Sequence, residues 1–177
     1  MTPLASAALA AILAGGTVAA LAIADPSPAT FSGNAVAVDG DSLRVGGVRV
    51  RLAGIDAPEA SQTCQRLPPT QRTNLGTSGL SWPCGQHATA VMQHMLARDP
   101  VVTCQAKATD RYGRTIATCS NKDGDLGARL VAQGLAVAYR RYSTAYVDQE
   151  EAAKAEKLGV WAGDFVMPEQ WRREHGR

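Results

Sequence analysis

The 177-residue chain is short of histidine and of cysteine, with three and four residues, and it carries little net charge, formally +2 at neutral pH. Each scarcity excludes something. No Cys-x-x-Cys occurs, and the cysteines are spread at 64, 84, 104 and 119. A zinc site would have to be built on a pair such as Cys84 and His87, without the paired spacing that zinc modules use. The balanced charge permits a polyanionic partner without arguing for one, since dedicated binders are more basic overall, so local placement of arginine has to carry that case. No internal repeat is present. Only one long apolar run exists, Met1 to Ala24, and it contains no charged side chain.

That run ends in Ala22-Ile23-Ala24 before Asp25-Pro26, a small-x-small pattern that reads as the cleavage site of a secretory signal. No Lys or Arg precedes it, and about 20 apolar residues suffice to span a bilayer, so an uncleaved membrane anchor is the alternative and a buried helix a third reading. Residues 25–32 read as a linker, 33–165 as one domain large enough for a real core, and 166–177 as a C-terminal tail.

What organises the domain is Val38 to Glu59, VDGDSLRVGGVRVRLAGIDAPE. Ser42–Val45 and Val48–Ala53 read as the strands of a β-hairpin around Gly46-Gly47, because glycine accepts the positive φ that two-residue turns need. Val48, Val50 and Leu52 alternate with Arg49 and Arg51, giving one apolar face and one basic face. Asp41 opens the first strand and Asp56 follows the second. An antiparallel pair brings these ends together, with Glu59 and Arg51 nearby. That pattern fits a hard-cation site beside an anion site.

The stretch resembles the staphylococcal nuclease (thermonuclease) family. The resemblance rests on Asp39-Gly40-Asp41-Ser42, Arg51-Leu52-Ala53-Gly54-Ile55-Asp56-Ala57-Pro58-Glu59 and Asp110-Arg111-Tyr112-Gly113-Arg114. It continues through Arg129 to Ala136 and ends near Glu156-Lys157-Leu158-Gly159-Val160-Trp161. It implies an α+β fold, a five-stranded OB-like barrel with three helices, and calcium-dependent phosphodiesterase activity on DNA and RNA. By resemblance, Asp41 and Asp56 carry calcium, with the main-chain carbonyl of Ala57 as a further ligand. Ala stands there where the family's type member has Thr. Arg51 and Arg114 match the phosphate-stabilising arginines, and Glu59 matches the general base or water-orienting residue. Tyr112 and Tyr139 match tyrosines that contact the nucleotide, and Arg111 stands where the family has a Lys near a phosphate. A nucleic acid is then the expected substrate, and a monomer the expected state.

The remaining elements follow in order. Asn34–Val38 reads as the first barrel strand. Residues 60–83 show no period and read as a long loop, with Cys64 and Cys84 at its ends; the type member's loop is shorter. Gly85–Arg98 reads as a helix burying Ala88, Val91, Met92, Met95 and Leu96, with His87 and His94 on its surface. Val101–Lys107 and Thr115–Ser120 read as a hairpin. A turn centred between Arg111 and Tyr112 sets Cys104 opposite Cys119, at about 4.5–5.5 Å between Cα atoms, which suits a disulfide. Cys64 and Cys84 are the remaining pair. An even cysteine count with a secretory signal supports oxidised pairs in a secreted or periplasmic protein. Asp125–Ala132 reads as a capped helix, Leu135–Tyr139 as the fifth strand, and Tyr146–Leu158 as the last helix with a solvated charged face that includes a Glu150–Lys154 pair. Asp110 reads as a turn residue, Arg49 as a surface cation, and Tyr142 as either packing or contact. His87, His94 and His175 read as bystanders. The rival from another class is a non-catalytic OB-type module that binds oligonucleotides or oligosaccharides.

Overall fold

The structure is a computed structural model that describes residues 29–66 and 80–176. The apolar run of residues 1–24 lies outside these. No helix among the described residues is long and apolar enough to cross a membrane.

The hairpin forms where the sequence places it. Strands β2 (Ser42–Val45) and β3 (Val48–Leu52) pair with Val45 opposite Val48 and Ser42 opposite Arg51. Gly46 and Gly47 take φ values of 55° and 88°, the two positive angles of a primed turn whose twist matches its strands. Val50 and Leu52 point into the core, while Val48, next to the turn, is exposed.

Strand β1 (Thr30–Ala37) begins earlier than expected. Thr30 to Asn34 pair with the β7 strand (Val101–Thr109), and Ala35 to Ala37 turn onto β2, so part of the expected linker is barrel. Strand β8 (Thr115–Asn121) pairs antiparallel with β7 and parallel with β3, Val50 opposite Thr115 and Leu52 opposite Ala117. That parallel pairing closes a five-stranded mixed barrel, β3-β2-β1-β7-β8, and leaves no open edge in the ring. It also sets the start of β8, next to Arg114, beside Arg51.

Cys104 faces Cys119 in the β7–β8 register and is bonded to it, with Cα atoms 4.1 Å apart. The symmetric pairing runs as far as Ala106 opposite Ala117. A bulge between Ala106 and Ala108 then shifts the register by one residue before the Asp110–Arg114 turn.

Helix α1 (Cys84–Arg98) plugs the barrel with Ala88, Met92, Met95 and Leu96, while His87 and His94 face solvent. Helix α2 (Leu126–Ala132) follows the short strand β9 (Gly124–Asp125). It is capped by the Asp125 carboxylate, which accepts from the Ala128 amide at 2.9 Å. The other Asp125 oxygen accepts from the Tyr146 hydroxyl, and burial beside that carboxylate pushes the phenol's pKa well up.

Three expectations are corrected. First, Leu135–Tyr139 is not a barrel strand. Only β10 (Val137–Ala138) forms, and it pairs outside the ring with β4 (Ile55–Asp56). The continuous burial of Leu135 to Ala138 reads as a strand, but Leu135, Ala136 and Ala138 pack into the main core, and β10 lies against helix α3 (Val147–Ala155). Second, the 60–83 loop contains a ribbon, β5 (Cys64–Arg66) against β6 (Leu80–Trp82), closed by the Cys64–Cys84 bond; residues 67–79 lie outside the described residues. Third, four α-helices are present among the described residues rather than three. Helix α4 (Pro168–Glu174) occupies the expected tail, started by Pro168 and carrying Arg172 and Arg173 in its last turn.

On α3 the Glu150–Lys154 pair forms at 3.0 Å, but Glu150 is buried rather than solvated. Its carboxylate accepts from the Ala138 amide at 3.0 Å and pairs with Arg140, so it ties the helix to the segment that carries Tyr139.

Candidate active site

The open end of the hairpin brings the acidic residues together. Asp41 and Asp56 are 2% and 1% exposed, and one guanidinium joins them. Arg51 Nη1 donates to Asp41 Oδ1 at 2.5 Å and Arg51 Nη2 to Asp56 Oδ1 at 2.6 Å. The second Asp41 oxygen accepts from the Ala57 amide at 2.7 Å, so the Ala57 backbone also lies at this point. Burial pushes the Asp41 carboxyl up to about 7, with Arg51 opposing and Asp39 and Asp56 adding to the rise. For Arg51 burial works against the charge, but Asp41 and Asp56 outweigh it and hold its pKa above the ordinary value.

Glu59 is fixed mainly through its backbone. Its amide donates to Gln62 Oε1 at 3.2 Å, and its carbonyl accepts from the Gln62 amide at 2.7 Å. Helix α1 closes on the same carbonyl at Gly85, where a Cβ would sit 1.7 Å from the oxygen. Only a residue without a side chain fits there. Gln62 is fully buried and spends its side-chain amide on the Val166 carbonyl at 2.6 Å.

Arg114 stands at the other side. Its Nε donates to Asp110 Oδ2 at 2.7 Å, and its Nη1 reaches Ser42 Oγ at 3.5 Å. Asp110 is the turn residue expected, accepting also from the backbone amides of Tyr112 and Arg114, and it orients the Arg114 side chain as well. Burial is the largest single effect and pushes the Asp110 carboxyl up, but these hydrogen bonds and the Arg114 charge together outweigh it and hold the carboxyl below its ordinary range. Arg49, an exposed cation, donates to the Tyr112 carbonyl at 2.8 Å and steadies the same turn.

An open cleft of about 1220 Å³ runs over this centre. Arg51, Glu59 and Arg114 reach its surface, while Asp41 and Asp56 lie behind them. Tyr112 forms one wall, 56% exposed, with Arg111 stacked 4.8 Å from its ring centroid and Arg114 at 5.6 Å. Tyr139 and Tyr142 also line the cleft, edge to face at 4.8 Å. Tyr142 is 69% exposed, which answers the open question about it: it does not pack in the core. None of the three histidines lines the cleft.

One residue at the centre is absent from the sequence reading. Arg172, on α4, forks onto Asp56 with Nη1 to Oδ1 and Nη2 to Oδ2, both at 2.9 Å, and its Nη1 also donates to Glu59 Oε1 at 3.0 Å. The two carboxylates hold the Arg172 pKa above its ordinary value against the opposing effect of burial. The sequence signal that could have found it is slight: Pro168 as a helix start followed by an Arg pair one turn later.

Two cleft-lining arginines beside two buried aspartates, on a closed five-stranded mixed barrel with tyrosines along the cleft, place the chain in the class of OB-like α+β folds. Comparison with known proteins agrees. The family described as staphylococcal nuclease homologue matches residues 49–163. A micrococcal nuclease of Shigella flexneri is 29% identical over 185 residues, covering 94% of each chain. An uncharacterized endonuclease of Haemophilus influenzae is 31% identical over 144 residues, 77% of this chain and 69% of the relative. A succinoglycan biosynthesis protein, ExoI, of Rhizobium meliloti is 30% identical over 131 residues; the match covers 73% of this chain and 63% of that protein. The chain belongs to the staphylococcal nuclease family and is a nuclease of thermonuclease type.

Proposed function

We propose that the protein is a calcium-dependent phosphodiesterase that hydrolyses DNA, RNA or both in the cleft above Arg51. The observation that carries the reading is the convergence of Asp41 and Asp56 on one point beneath Arg51, with Glu59 alongside. Asp41 and Asp56 lie close enough to share one guanidinium, and among the described residues no three acidic side chains close on one point, so two carboxylates with a carbonyl are the oxygen donors offered to a hard divalent ion. Asp41 and Asp56 would hold calcium, with the Ala57 carbonyl as a further ligand. Bound there, calcium supplies Lewis-acid polarisation of a phosphate oxygen and of the attacking water.

The chain's own residues do the rest. Arg51 and Arg114 enter the cleft from two sides of the same barrel edge. Their planar forks bind the phosphate oxygens and stabilise the charge that builds as water adds to phosphorus. Glu59 accepts the proton of that water, or orients it, from the cleft floor. Tyr112 and Tyr139 offer ring faces to bases on either side, a contact tolerant of sequence, and Arg111 adds charge beside Tyr112. Two disulfides support an oxidising compartment, secreted or periplasmic, with residues 1–24 as signal or membrane tether.

Substitution kinetics test the reading. Glu59→Gln keeps shape and removes the base, and kcat falls by about 10²–10⁴ with little change in nucleotide affinity. A folded Glu59→Gln, Arg51→Lys double variant that cleaves at near wild-type rate would contradict this placement of the site. A protein that binds single strands and cleaves none would be the OB-type binding module instead.

A further inference from the structure

Helix α4 lies beyond the residues that match the family, yet its Arg172 takes more of the Asp56 carboxylate than any other group: both oxygens, and Glu59 as well. Arg51 and Arg172 line the cleft, and Asp56 lies behind them at 1% exposure. A cation approaching from the cleft meets a guanidinium already seated on the lone pairs it needs. We propose that Arg172 is a resident counter-ion of the metal carboxylates: it positions Asp56 and Glu59 in the metal-free protein and is exchanged for calcium on binding, so that α4 sets the calcium affinity. This rests on the calcium reading above.

The mounting of α4 supports the proposal. Residues 164–166, which lead into the helix, are held by the disulfide-closed insertion. The Gln65 amide donates to the Asp164 carbonyl at 2.8 Å, and the buried Gln62 side chain donates to the Val166 carbonyl at 2.6 Å. Gln62 at the same time accepts from the Glu59 amide. Insertion, base and C-terminal segment are therefore one connected unit, and Arg172 is delivered to Asp56 by it rather than by a loose tail.

Arg173 lies 4.0 Å from Glu169, and Arg141 reaches Glu169 at 3.5 Å; both arginines are about 70% exposed, so neither fixes the helix. The forked pair to Asp56 ties α4 to the barrel. Charge balance favours exchange. Three carboxylates, Asp41, Asp56 and Glu59, face two guanidiniums in the metal-free site. A divalent ion added without release of a cation would place +4 against −3 in a half-buried space.

Two roles for Arg172 predict opposite signs. If it is only a clamp, removing it loosens Asp56 and weakens calcium binding. If it competes for the same oxygens, removing it strengthens calcium binding. Calorimetric titration of calcium into the folded full chain distinguishes them. Arg172→Gln lowers the calcium dissociation constant by about tenfold or more, as expected for a unit charge removed from contact with a ligand carboxylate at an intermediate effective dielectric. Arg172→Lys, which keeps charge but loses the fork, gives a smaller change in the same direction. Arg173→Gln, with the same charge removed one residue along, changes affinity less than about twofold, because that side chain is screened by solvent. In the wild type, calcium also raises amide hydrogen exchange across 168–175 while α1 is unchanged. Unchanged or weaker calcium binding in folded Arg172→Gln overturns the proposal and leaves the calcium reading standing. If that variant does not fold, the wild-type exchange experiment and Arg172→Lys decide, and α4 amides that do not loosen with calcium overturn it. A folded wild type that binds no calcium refutes both readings.

Discussion

Gly85 is a place where a single methyl group should disable the enzyme without unfolding it. The first turn of α1 presses on the Glu59 backbone, and a Cβ at residue 85 would lie 1.7 Å from the Glu59 carbonyl oxygen and 2.5 Å from its carbon. Both atoms are main chain, so no rotamer relieves the contact. Ordinary contact begins at 3.4 Å, so the two segments must part by about 1.7 Å. Misplacing a catalytic group by about 1 Å costs on the order of 10²-fold in rate. Overpacking costs about 1–3 kcal/mol, and the better helix propensity of alanine returns up to about 1 kcal/mol. For a domain of this size a kcal/mol moves Tm by about 2–4 °C, so Gly85→Ala should melt no more than about 12 °C low while kcat falls by about 10². Gln86→Ala, exposed on the same turn, serves as control and should keep kcat within about twofold. The assay is steady-state cleavage of single-stranded DNA alongside a thermal melt. A folded Gly85→Ala with wild-type kcat would show that the position of Glu59 is not what the contact controls.

Four further outcomes follow from the same geometry. Replacing Arg114 or Arg51 with Lys keeps charge and loses the fork, so kcat should drop strongly in cleavage assays while the fold, read by circular dichroism, is retained. The raised Asp41 pKa makes the native metal-free protein hold about one more proton than the unfolded chain between roughly pH 4 and 7; this contribution to stability is present below that range and is lost as pH rises through it, by up to about 1.4 kcal/mol per unit, and denaturant titrations in chelator should show the slope in wild type but not in Asp41→Asn. Removing the Cys64–Cys84 bond, which closes a separation of 20 residues, should cost about 3 kcal/mol of stability in denaturant melts and, by freeing the insertion, lower kcat as well. Tyr139→Ala should weaken oligonucleotide binding by about 1–3 kcal/mol, whereas Tyr139→Phe, which keeps the ring, should change little.

The parts of the fold legible in the sequence were those fixed by local chemistry. Gly46-Gly47 dictated the hairpin turn, and the hairpin dictated that Asp41 and Asp56 meet. Cys104 and Cys119 pair as expected, but by a different route: the turn is centred on Tyr112 rather than between Arg111 and Tyr112, and the bulge between Ala106 and Ala108 restores the register that sets the two cysteines opposite. What escaped was decided at long range. A buried run such as Leu135 to Ala138 reads the same whether it pairs in a barrel or lies under a helix. Glu150 reads as solvent-facing from its charged neighbours, but the Ala138 amide, Arg140 and Lys154 compensate its burial. Arg172 lies 116 residues from Asp56 in sequence, on a seven-residue helix too short to show a period, so nothing local announces their contact.

The central claim is that the cleft above Arg51 hydrolyses phosphodiesters with calcium held by Asp41 and Asp56. The most direct measurement is cleavage of single-stranded DNA and of RNA by the purified protein, with calcium and with a chelator, monitored on a gel. The expected result is cleavage of at least one substrate with calcium, none with chelator, and restoration when calcium is returned. Undiminished cleavage in chelator, or none of either substrate by folded protein with calcium, would contradict it.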